Sequence, residues 1–435
     1  MARSGAYTSE FYREGSNLGN CVSEDRVEYS SFATSSGRLL LMTPLSWTIF
    51  GFAVAGVLYW FMLFVRIARA LPSIPRVEDA DALPDVAEKL SIVIPAHNES
   101  RVIADSVRGL RAQVGVEFEA IYVLDRCTDN TRELLIAAAE GDPRIRYIEN
   151  PHCPDDWAGK CNAARMGAEH ATGAWILFTD ADCRFGETLV RSMLRIAQSK
   201  DTALLSALGR LTFGRSFERQ LQPVTTMVLM RIFPLDKANR EDRCWPFANG
   251  QFLMFKRDAY DRIGGHAAVK DDLLEDLAFA KRLHEAGQRI GVVDAGTRME
   301  VSMYDNPRAM RQGWTRIFIE SCGRRPRTLR MKALEFFTTG VVLPIAACAA
   351  MLTSGSYEDD IAAFLLLFTS GALSLGWMII TLTWMHGLFH APYRGICFHP
   401  YASWIVARWL LDGARILEKR EPVRWGGREY VLKPR

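Results

Sequence analysis

Three long stretches of this 435-residue chain are apolar and contain no charged residue. They cover residues 44–65, 336–353 and 361–385. A helix needs roughly 20 apolar residues to cross a bilayer, whereas a shorter run is more typical of a buried core helix. Each run therefore predicts a transmembrane helix, and any domain between residues 66 and 335 must fold beside a membrane.

The segments around these runs are polar or basic. Residues 1–43 are too long and too acidic for a simple signal peptide, so we expect the first span to be retained as an anchor. Arg408 lies between Trp404 and Trp409, a composition typical of a helix in the membrane interface. The further predicted regions are a basic interfacial helix region at 307–332, an interfacial helix at 398–412 and a basic cytoplasmic tail at 413–435.

The placement of arginine and lysine predicts the orientation of the chain. Arg66, Arg69 and Arg76 follow the first span, and a basic cluster from Arg324 to Lys332 precedes the second. Cytoplasmic flanks of membrane spans are enriched in these residues. We therefore expect a multi-pass protein of the cytoplasmic (inner) membrane, with the domain at residues 88–300 facing the cytoplasm.

Composition excludes two other classes of protein. The formal net charge of +3 is too small for a dedicated nucleic-acid binder. Nine cysteines at irregular spacings, without a C-x-x-C pair, indicate reduced thiols and neither a disulfide framework nor a zinc site.

Between the membrane segments, residues 88–300 alternate short apolar strands with amphipathic helices. The predicted strands are Leu90–Pro95, Ala120–Asp125, Ile145–Ile148, Trp175–Thr179 and Ala203–Ala207. The predicted helices are Glu99–Gln113, Thr131–Ala139, Lys160–His170 and Leu277–Ala286. Repeated βα units imply an α/β fold with a mostly parallel, doubly wound sheet, whose ligand site lies at the carboxyl ends of the strands.

One of these strands runs directly into a pair of aspartates. Asp180 and Asp182 follow the buried strand that ends at Thr179, so both carboxylates can face one point. Such hard oxygen ligands suit Mg²⁺ or Mn²⁺, which in turn can neutralise a pyrophosphate. A lone D-x-D pair also occurs in solvated acidic turns, but the neighbouring motifs favour a ligand site.

Taken in order, the polar segments resemble those of family 2 glycosyltransferases of the GT-A fold, which has a Rossmann-like nucleotide-sugar-binding domain. The matching segments are SIVIPAHNE (91–99), VLDRCTDNT (123–131), WAGKCNA (157–163), FTDAD (178–182), NGQF (249–252) with IGG (263–265), and LEDL (274–277). The arrangement of one leading and two trailing spans is similar to that of ceramide glucosyltransferases and of bacterial hopanoid-associated and carotenoid glycosyltransferases.

The resemblance implies roles for the residues that match its motifs. The donor would be a nucleotide-diphosphate sugar, with a UDP-sugar expected first, and Mg²⁺ or Mn²⁺ the cofactor. Asp180 and Asp182 would bind the metal, and Asp276 would be the catalytic base, with Glu275 a further candidate. Acidic residues at a helix start are also common caps. The implied donor-binding residues are Pro95, Glu99, Asp125, Lys160, Asp180, Gly250 and Gln251.

The chain departs from the family after the base. Many relatives carry Gln-x-x-Arg-Trp, whereas Gln312, Trp314 and Arg316 provide these residue types in a changed order. A helix from Pro307 would place basic residues on one face, suited to phosphate or to lipid headgroups. A role in the site and a role in membrane docking both stay open for these residues.

These observations lead to one main function and two alternatives. The main hypothesis is a membrane-bound inverting glycosyltransferase that moves a single sugar from the nucleotide donor to a lipid hydroxyl. Hopanoid, carotenoid, sphingolipid and diacylglycerol acceptors all fit. The alternatives are a processive polysaccharide synthase, for which three spans are few, and a catalytically inactive membrane scaffold.

Overall fold

A computed structural model describes the chain from Met42 to Arg435, except positions 241 and 243. The predicted polar segment at 1–43 therefore lies almost wholly outside the described residues. The helices are α1 Pro44–Ala70, α2 Ile103–Arg111, α3 Thr131–Ala139, α4 Gly159–Glu169, α5 Leu189–Ser199, α6 Ser216–Ile232, α7 Arg257–Arg262, α8 Glu275–Glu285, α9 Pro307–Ser321, α10 Pro326–Phe337, α11 Leu343–Ser354, α12 Ile361–Leu388 and α13 His399–Lys419.

Three helices of the described chain are long and apolar enough to cross a membrane. Including short 3₁₀ and π-helical extensions, they cover Pro44–Ser73, Pro326–Tyr357 and Ile361–Leu388. The second combines α10, a π-helical turn at Thr338–Val342 and α11. The region predicted at 307–332 is therefore two elements, α9 and the first turns of α10. The chain turns between them at Gly323 and Arg324, both of which have positive φ.

The central domain is built on one eight-stranded sheet. Its strands are β1 Leu90–Ala96, β2 Phe118–Asp125, β3 Ile145–Asn150, β4 Trp175–Thr179, β5 Cys183–Phe185, β6 Leu204–Leu211, β7 Phe252–Lys256 and β8 Ile290–Val301, in the order β3-β2-β1-β4-β7-β6-β8-β5. All five predicted strands are present. The β3-β2-β1-β4 half is parallel as expected, but β7 is antiparallel to both of its neighbours. The sheet is therefore mixed: four of its seven strand pairings are parallel, including that of β6 with β8, and three are antiparallel.

Alternating side chains of the strands build two cores. Ile92 and Ile94 of β1 face one apolar layer, while Val93 faces the other. Successive side chains of a strand point to opposite faces, so a sheet covered by helices on both sides needs such continuous apolar runs. Parallel pairing of β1 with β2 and with β4 brings the polar segments that follow these strands to one edge of the sheet.

The last part of the chain is more ordered than the sequence suggested. Helix α13 continues past the predicted interfacial helix at 398–412, and Val406 and Leu410 on it are buried in a core shared with α6, α9 and α10. Residues 413–435 do not form a free basic tail. They complete α13 and then form an antiparallel hairpin of β9 Pro422–Trp425 and β10 Arg428–Val431.

Candidate active site

A cavity of about 770 Å³ lies at the carboxyl ends of β1, β2 and β4. Parallel strands deliver the loops that follow them to this edge, and α8 and α9 approach it from the other side. Its lining contains every site residue expected from the sequence: Pro95, Glu99, Asp125, Lys160, Asp180, Asp182, Gly250, Gln251, Glu275, Asp276, Gln312, Trp314 and Arg316.

Lys160 joins two acidic motifs that are distant in sequence. Helix α4 begins at Gly159 and places Lys160 in its first turn. Its Nζ lies 2.7 Å from Oδ1 of Asp180 and 2.7 Å from Oε1 of Glu275. Burial disfavours the ammonium, but the two carboxylates outweigh it and raise the pKa of Lys160 well above its usual range. Burial likewise opposes the charge of Glu275, yet Lys160 lowers the pKa of this carboxyl.

The other acidic groups around the strand ends are not neutralised in this way. Burial and the neighbouring Asp180 raise the pKa of Asp182 to about 7. Burial, then Asp182 and Asp180, raise the pKa of Glu99 to about 8. Desolvation and like charges both disfavour carboxylates. This corner of the cavity would therefore be stabilised by additional positive charge.

A divalent cation fits the chemistry of this corner. Among the described residues, no group of three or more His, Cys, Asp or Glu side chains is arranged to hold a metal ion. Asp180 and Asp182 supply two carboxylates, and Mg²⁺ commonly binds through one or two carboxylates with substrate phosphates and water as its other ligands. Burial and then the charge of Asp180 raise the pKa of Asp182, so a cation beside the pair would stabilise its ionised form. The pair is therefore suited to a metal that arrives with a diphosphate.

Asp276 is held by backbone groups at the opposite side of Lys160. It lies in the first turn of α8, accepting a hydrogen bond of 2.7 Å from the Gly250 amide at Oδ2 and one of 2.8 Å from the Leu277 amide at Oδ1. Asp276 is the second residue of α8 and lies inside the helix, whereas a helix cap precedes it, although its bond to the Leu277 amide satisfies one free N–H group of the first turn. Burial and the charge of Glu275 raise the pKa of Asp276 to about 7. That value suits a general base at neutral pH.

Gly250 and Gln251 form the loop that faces Asp276. A Cβ at Gly250 would lie 3.2 Å from Oδ2 of Asp276 and 3.3 Å from Nζ of Lys160, so only glycine lets the backbone approach both groups unhindered. The backbone oxygen of Gln251 accepts a 2.7 Å hydrogen bond from the Thr179 hydroxyl at the end of β4. Asn249 donates to the Gln251 side chain at 3.0 Å. The loop is therefore fixed to the strand that carries the aspartate pair.

Asp125 ends β2 in a buried polar network. Its Oδ1 accepts a 2.7 Å hydrogen bond from the Asn150 amide, and its Oδ2 accepts one of 2.6 Å from Arg126. The ring of His97 donates to the Asp125 backbone oxygen at 2.6 Å. Asn150, Arg126 and His97 were not expected at the site. The polar segment after β1 and the Asn at the end of β3 were the available signals for His97 and Asn150.

Helix α9 carries Gln312, Trp314 and Arg316, the three residues that stand in a changed order relative to the family. Their side chains have different environments. Arg316 donates a 2.6 Å hydrogen bond to the backbone oxygen of Leu273, just before the acidic start of α8, and its guanidinium lies 4.3 Å from the centre of the Trp425 ring. Trp314 is buried, and Gln312 lines the cavity. Arg311 on the same helix instead pairs with Asp412 of α13 at 2.7 Å. Arg316 thus lies at the site, while Arg311 connects α9 to α13.

The sheet order, the aspartate pair that follows β4 and the acidic start of α8 are arranged as in an α/β domain of the GT-A fold. Residues 91–264 match the model of the family described as Glycosyl transferase family 2. The central domain is therefore similar to members of that family over about 40% of the chain.

Several known proteins are similar to parts of this chain. A dolichyl-phosphate beta-glucosyltransferase of Saccharomyces cerevisiae is 29% identical over 122 residues, which cover 27% of this chain and 35% of that protein. A 4,4'-diaponeurosporenoate glycosyltransferase of Staphylococcus haemolyticus is 20% identical over 241 residues, covering 53% of this chain and 61% of that protein. A mannosyltransferase from Pyrobaculum calidifontis, solved in complex with GDP-Man and Mn²⁺, aligns with 85% of this chain and 98% of its own at 18% identity and a TM-score of 0.47. The chain spans about a third of the length of the first curated relatives that it matches.

Proposed function

We propose that the protein is a membrane-bound inverting glycosyltransferase that transfers one sugar from a nucleotide-diphosphate sugar to a lipid hydroxyl. The observation that carries this proposal is the composition of the 770 Å³ cavity. One part contains Asp182, Lys160 and Asp276, and the same cavity is lined by apolar residues at the ends of the membrane helices. A water-soluble acceptor would gain nothing from that apolar lining, whereas a lipid acceptor would bury its chain there.

The apolar lining comes from three elements that meet beside the membrane helices. Leu71 and Ile74 follow α1, while Leu388 and Phe389 end α12. The third element is α6 with the residue that follows it, represented in the cavity by Leu229, Met230 and Phe233. An acceptor chain in this part of the cavity would present its hydroxyl towards the acidic part. The names of two relatives, which contain dolichyl phosphate and diaponeurosporenoate, support a lipid acceptor.

The arrangement of side chains supports direct displacement. Asp276 accepts the proton of the acceptor hydroxyl while the oxygen forms a bond to the anomeric carbon of the sugar. The bond from that carbon to the diphosphate breaks, and the nucleoside diphosphate leaves with the electron pair. Lys160, beside Asp180, provides positive charge near the leaving group. Asp180 and Asp182 would hold a divalent cation, which when bound neutralises the diphosphate.

A transfer assay with defined lipids tests this function. Purified full-length protein in lipid nanodiscs is incubated with Mn²⁺, a panel of UDP- and GDP-sugars, and sphingolipid, diacylglycerol, hopanoid and carotenoid acceptors. The expected product is one lipid class whose mass increases by a single sugar, absent with Asp276→Asn. Several sugars on one lipid would indicate a processive synthase. Nucleotide-sugar binding without any transfer would indicate the inactive scaffold.

A further inference from the structure

The hairpin formed by residues 422–431 lies at the same cavity as the predicted donor site, although it is more than a hundred residues away in sequence from the matched family domain. Its strands are joined by Gly426 and Gly427, which both have positive φ, at 55° and 73°. A two-residue loop of this kind gives a tight turn that suits the twist of antiparallel strands. The hairpin is thus a defined element that three sets of contacts hold against the central domain.

The first set of contacts anchors the hairpin beside α4. The guanidinium of Arg428 donates to the backbone oxygens of Pro154 at 2.9 Å and Trp157 at 3.0 Å, and to the carboxylate of Asp155 at 3.0 Å. These residues form the loop that leads into Lys160. A planar guanidinium with several donors can fix such a loop in one geometry, which a lysine would not do.

The second set connects the hairpin with the start of α8. Trp425 lies against the guanidinium of Arg316, which donates to the backbone oxygen of Leu273. Leu273 precedes the acidic pair Glu275 and Asp276 by two and three residues. The position of Trp425 is therefore coupled to the loop that presents the proposed base.

The third set places the turn across the ends of β1 and β2. Arg126, which pairs with Asp125, also donates to the backbone oxygen of Gly426 at 3.4 Å. A Cβ at Gly427 would lie 2.8 Å from Nε2 of His97. The backbone of the turn therefore lies against His97 with no room for a side chain between them. The hydroxyl of Tyr430 accepts a 3.3 Å hydrogen bond from the amide of Gly159, next to Lys160.

We propose that the 422–431 hairpin forms one wall of the donor site, and that Trp425 and Tyr430 bind the nucleoside diphosphate part of the donor. The inference rests on the proposed function. Base and ribose would lie between the turn and Asp125, and the Tyr430 hydroxyl would reach the diphosphate near Lys160. Aromatic side chains offer a surface for a nucleobase, and a tyrosine hydroxyl can donate to a phosphate oxygen. The donor site is then completed by a segment outside the matched family domain.

Nucleotide binding without turnover tests the proposal. Binding of UDP and of GDP, each with Mn²⁺, is measured by calorimetry for the full-length protein and for Trp425→Ala and Tyr430→Ala together. We expect the affinity for the nucleotide that the protein binds to fall about tenfold or more, within the range of lost aromatic stacking on a base. Val431→Ala is the matched control, because Val431 lies on the same strand and is 59% exposed. Its affinity should equal that of the unaltered protein.

A second variant keeps the test valid if the double variant does not fold. Gly427→Val leaves both aromatic residues in place but requires the turn to move away from His97. It should also weaken nucleotide binding, and because valine is strained at a φ of 73° some loss of thermal stability is expected, so binding is compared at a temperature at which the variant is folded. Unchanged or tighter binding in correctly folded variants would overturn the inference alone. An unaltered protein that binds neither nucleotide would overturn the proposed function together with the inference.

Discussion

At the scale of single residues, the site is organised around the ammonium group of Lys160. It connects the end of β4 with the start of α8, because Asp180 and Glu275 each lie 2.7 Å from it. A buried lysine is stable in its charged form only when it is paired. The same pairing keeps Glu275 ionised and leaves Asp276, one residue further, as the carboxyl without a cationic partner in direct contact. Two adjacent acids are therefore placed in different roles by one lysine.

Replacement of Asp276 tests its assignment as the base. Asp276→Asn retains the size of the side chain but keeps only one of the two amide hydrogen bonds, because Gly250 and Leu277 donate to different oxygens of Asp276. We expect turnover to fall roughly 10²–10⁴-fold, the usual effect of losing a positioned general base. Nucleotide affinity should change little, because Asp125 and Lys160 remain. Near-normal turnover would exclude Asp276 as the base and make Glu275 the next residue to test.

The pH dependence gives a second measurement on the same variant. Burial and Glu275 raise the pKa of Asp276 to about 7, so below this pH the carboxyl is protonated and cannot accept a proton. The kcat/KM of the unaltered protein should therefore rise as the pH increases through about 7 and level off above it. This rise should be absent in Asp276→Asn. A helix-capping carboxyl would not produce such a difference.

Loss of one aspartate of the pair tests the metal. Asp182→Asn removes a hard anionic ligand but keeps the shape of the side chain. We expect activity to require Mn²⁺ or Mg²⁺ and to fall by orders of magnitude in the variant, while thermal unfolding is unchanged. Mn²⁺ binding in the presence of UDP or GDP, followed by electron paramagnetic resonance, should weaken in parallel. Full activity of the unaltered protein in excess chelator would exclude a catalytic metal.

The sequence was informative about those site residues that belong to ordered motifs. Asp125, Asp180 and Asp276 each follow a strand or open a helix whose apolar pattern is clear, so their meeting at one sheet edge could be predicted. The partners of these residues could not. Arg126 and Asn150 both donate to Asp125. These contacts depend on side-chain rotamers and on the register between strands, and the spacing of apolar residues in the sequence specifies neither.

At the scale of elements, the close contact between α11 and α12 depends on a glycine. A Cβ at Gly371 would lie 2.4 Å from the backbone oxygen of Ala347, and a backbone atom cannot move aside as a flexible side chain can. Small residues commonly permit such approaches between membrane helices. We expect Gly371→Val to destabilise the protein by about 1–3 kcal/mol, the usual cost of overpacking.

The same helix contains a matched control. A Cβ at Gly376 would meet nothing within 4 Å, so Gly376→Val adds the same side chain without the clash. The temperature at which the detergent-solubilised protein loses nucleotide binding should drop for Gly371→Val and stay near that of the unaltered protein for Gly376→Val. Equal losses would show that helix propensity or solubility, and not the contact with Ala347, determines the effect.

The 422–431 hairpin was the element that sequence reasoning missed. Arg424, Arg428 and Glu429 gave the segment the composition of a solvated tail, and four-residue strands are too short for a periodic pattern. A signal was nevertheless present, since Gly426-Gly427 between two short alternating segments is typical of a hairpin loop. The antiparallel β7 was missed for another reason, because its apolar run has the composition of any buried strand.

At the scale of the whole molecule, both ends of the membrane helices carry evidence about topology. Ser46 near the start of α1 hydrogen-bonds to Tyr357 between α11 and α12, at 2.9 Å. The start of α1 and the α11–α12 link therefore share one end of the helix group. The arginine-rich ends are at the other end with the central domain, and the positive-inside rule predicts that this end faces the cytoplasm.

Cysteine labelling of intact cells tests this orientation. Glu358→Cys lies in the exposed link between α11 and α12, and Glu187→Cys lies on the exposed surface of the central domain. A membrane-impermeant thiol reagent should label the first and not the second, in a background where Cys21 and the exposed Cys348 and Cys397 are replaced by serine. Both positions should react after the cells are permeabilised. The reverse pattern would place the central domain outside the cell, away from cytoplasmic nucleotide sugars.

The cavity that joins apolar helix ends to the acidic site also sets the concentration that the enzyme experiences. A lipid acceptor of the kind proposed, entering beside the ends of α1 and α12, would stay in the bilayer and would be sampled in two dimensions. The rate will then follow the mole fraction of acceptor among the membrane lipids, whatever the volume of the surrounding solution. Dilution of the acceptor with inert lipid should slow the reaction, whereas dilution of the vesicles with buffer should not, provided that the donor concentration is held constant.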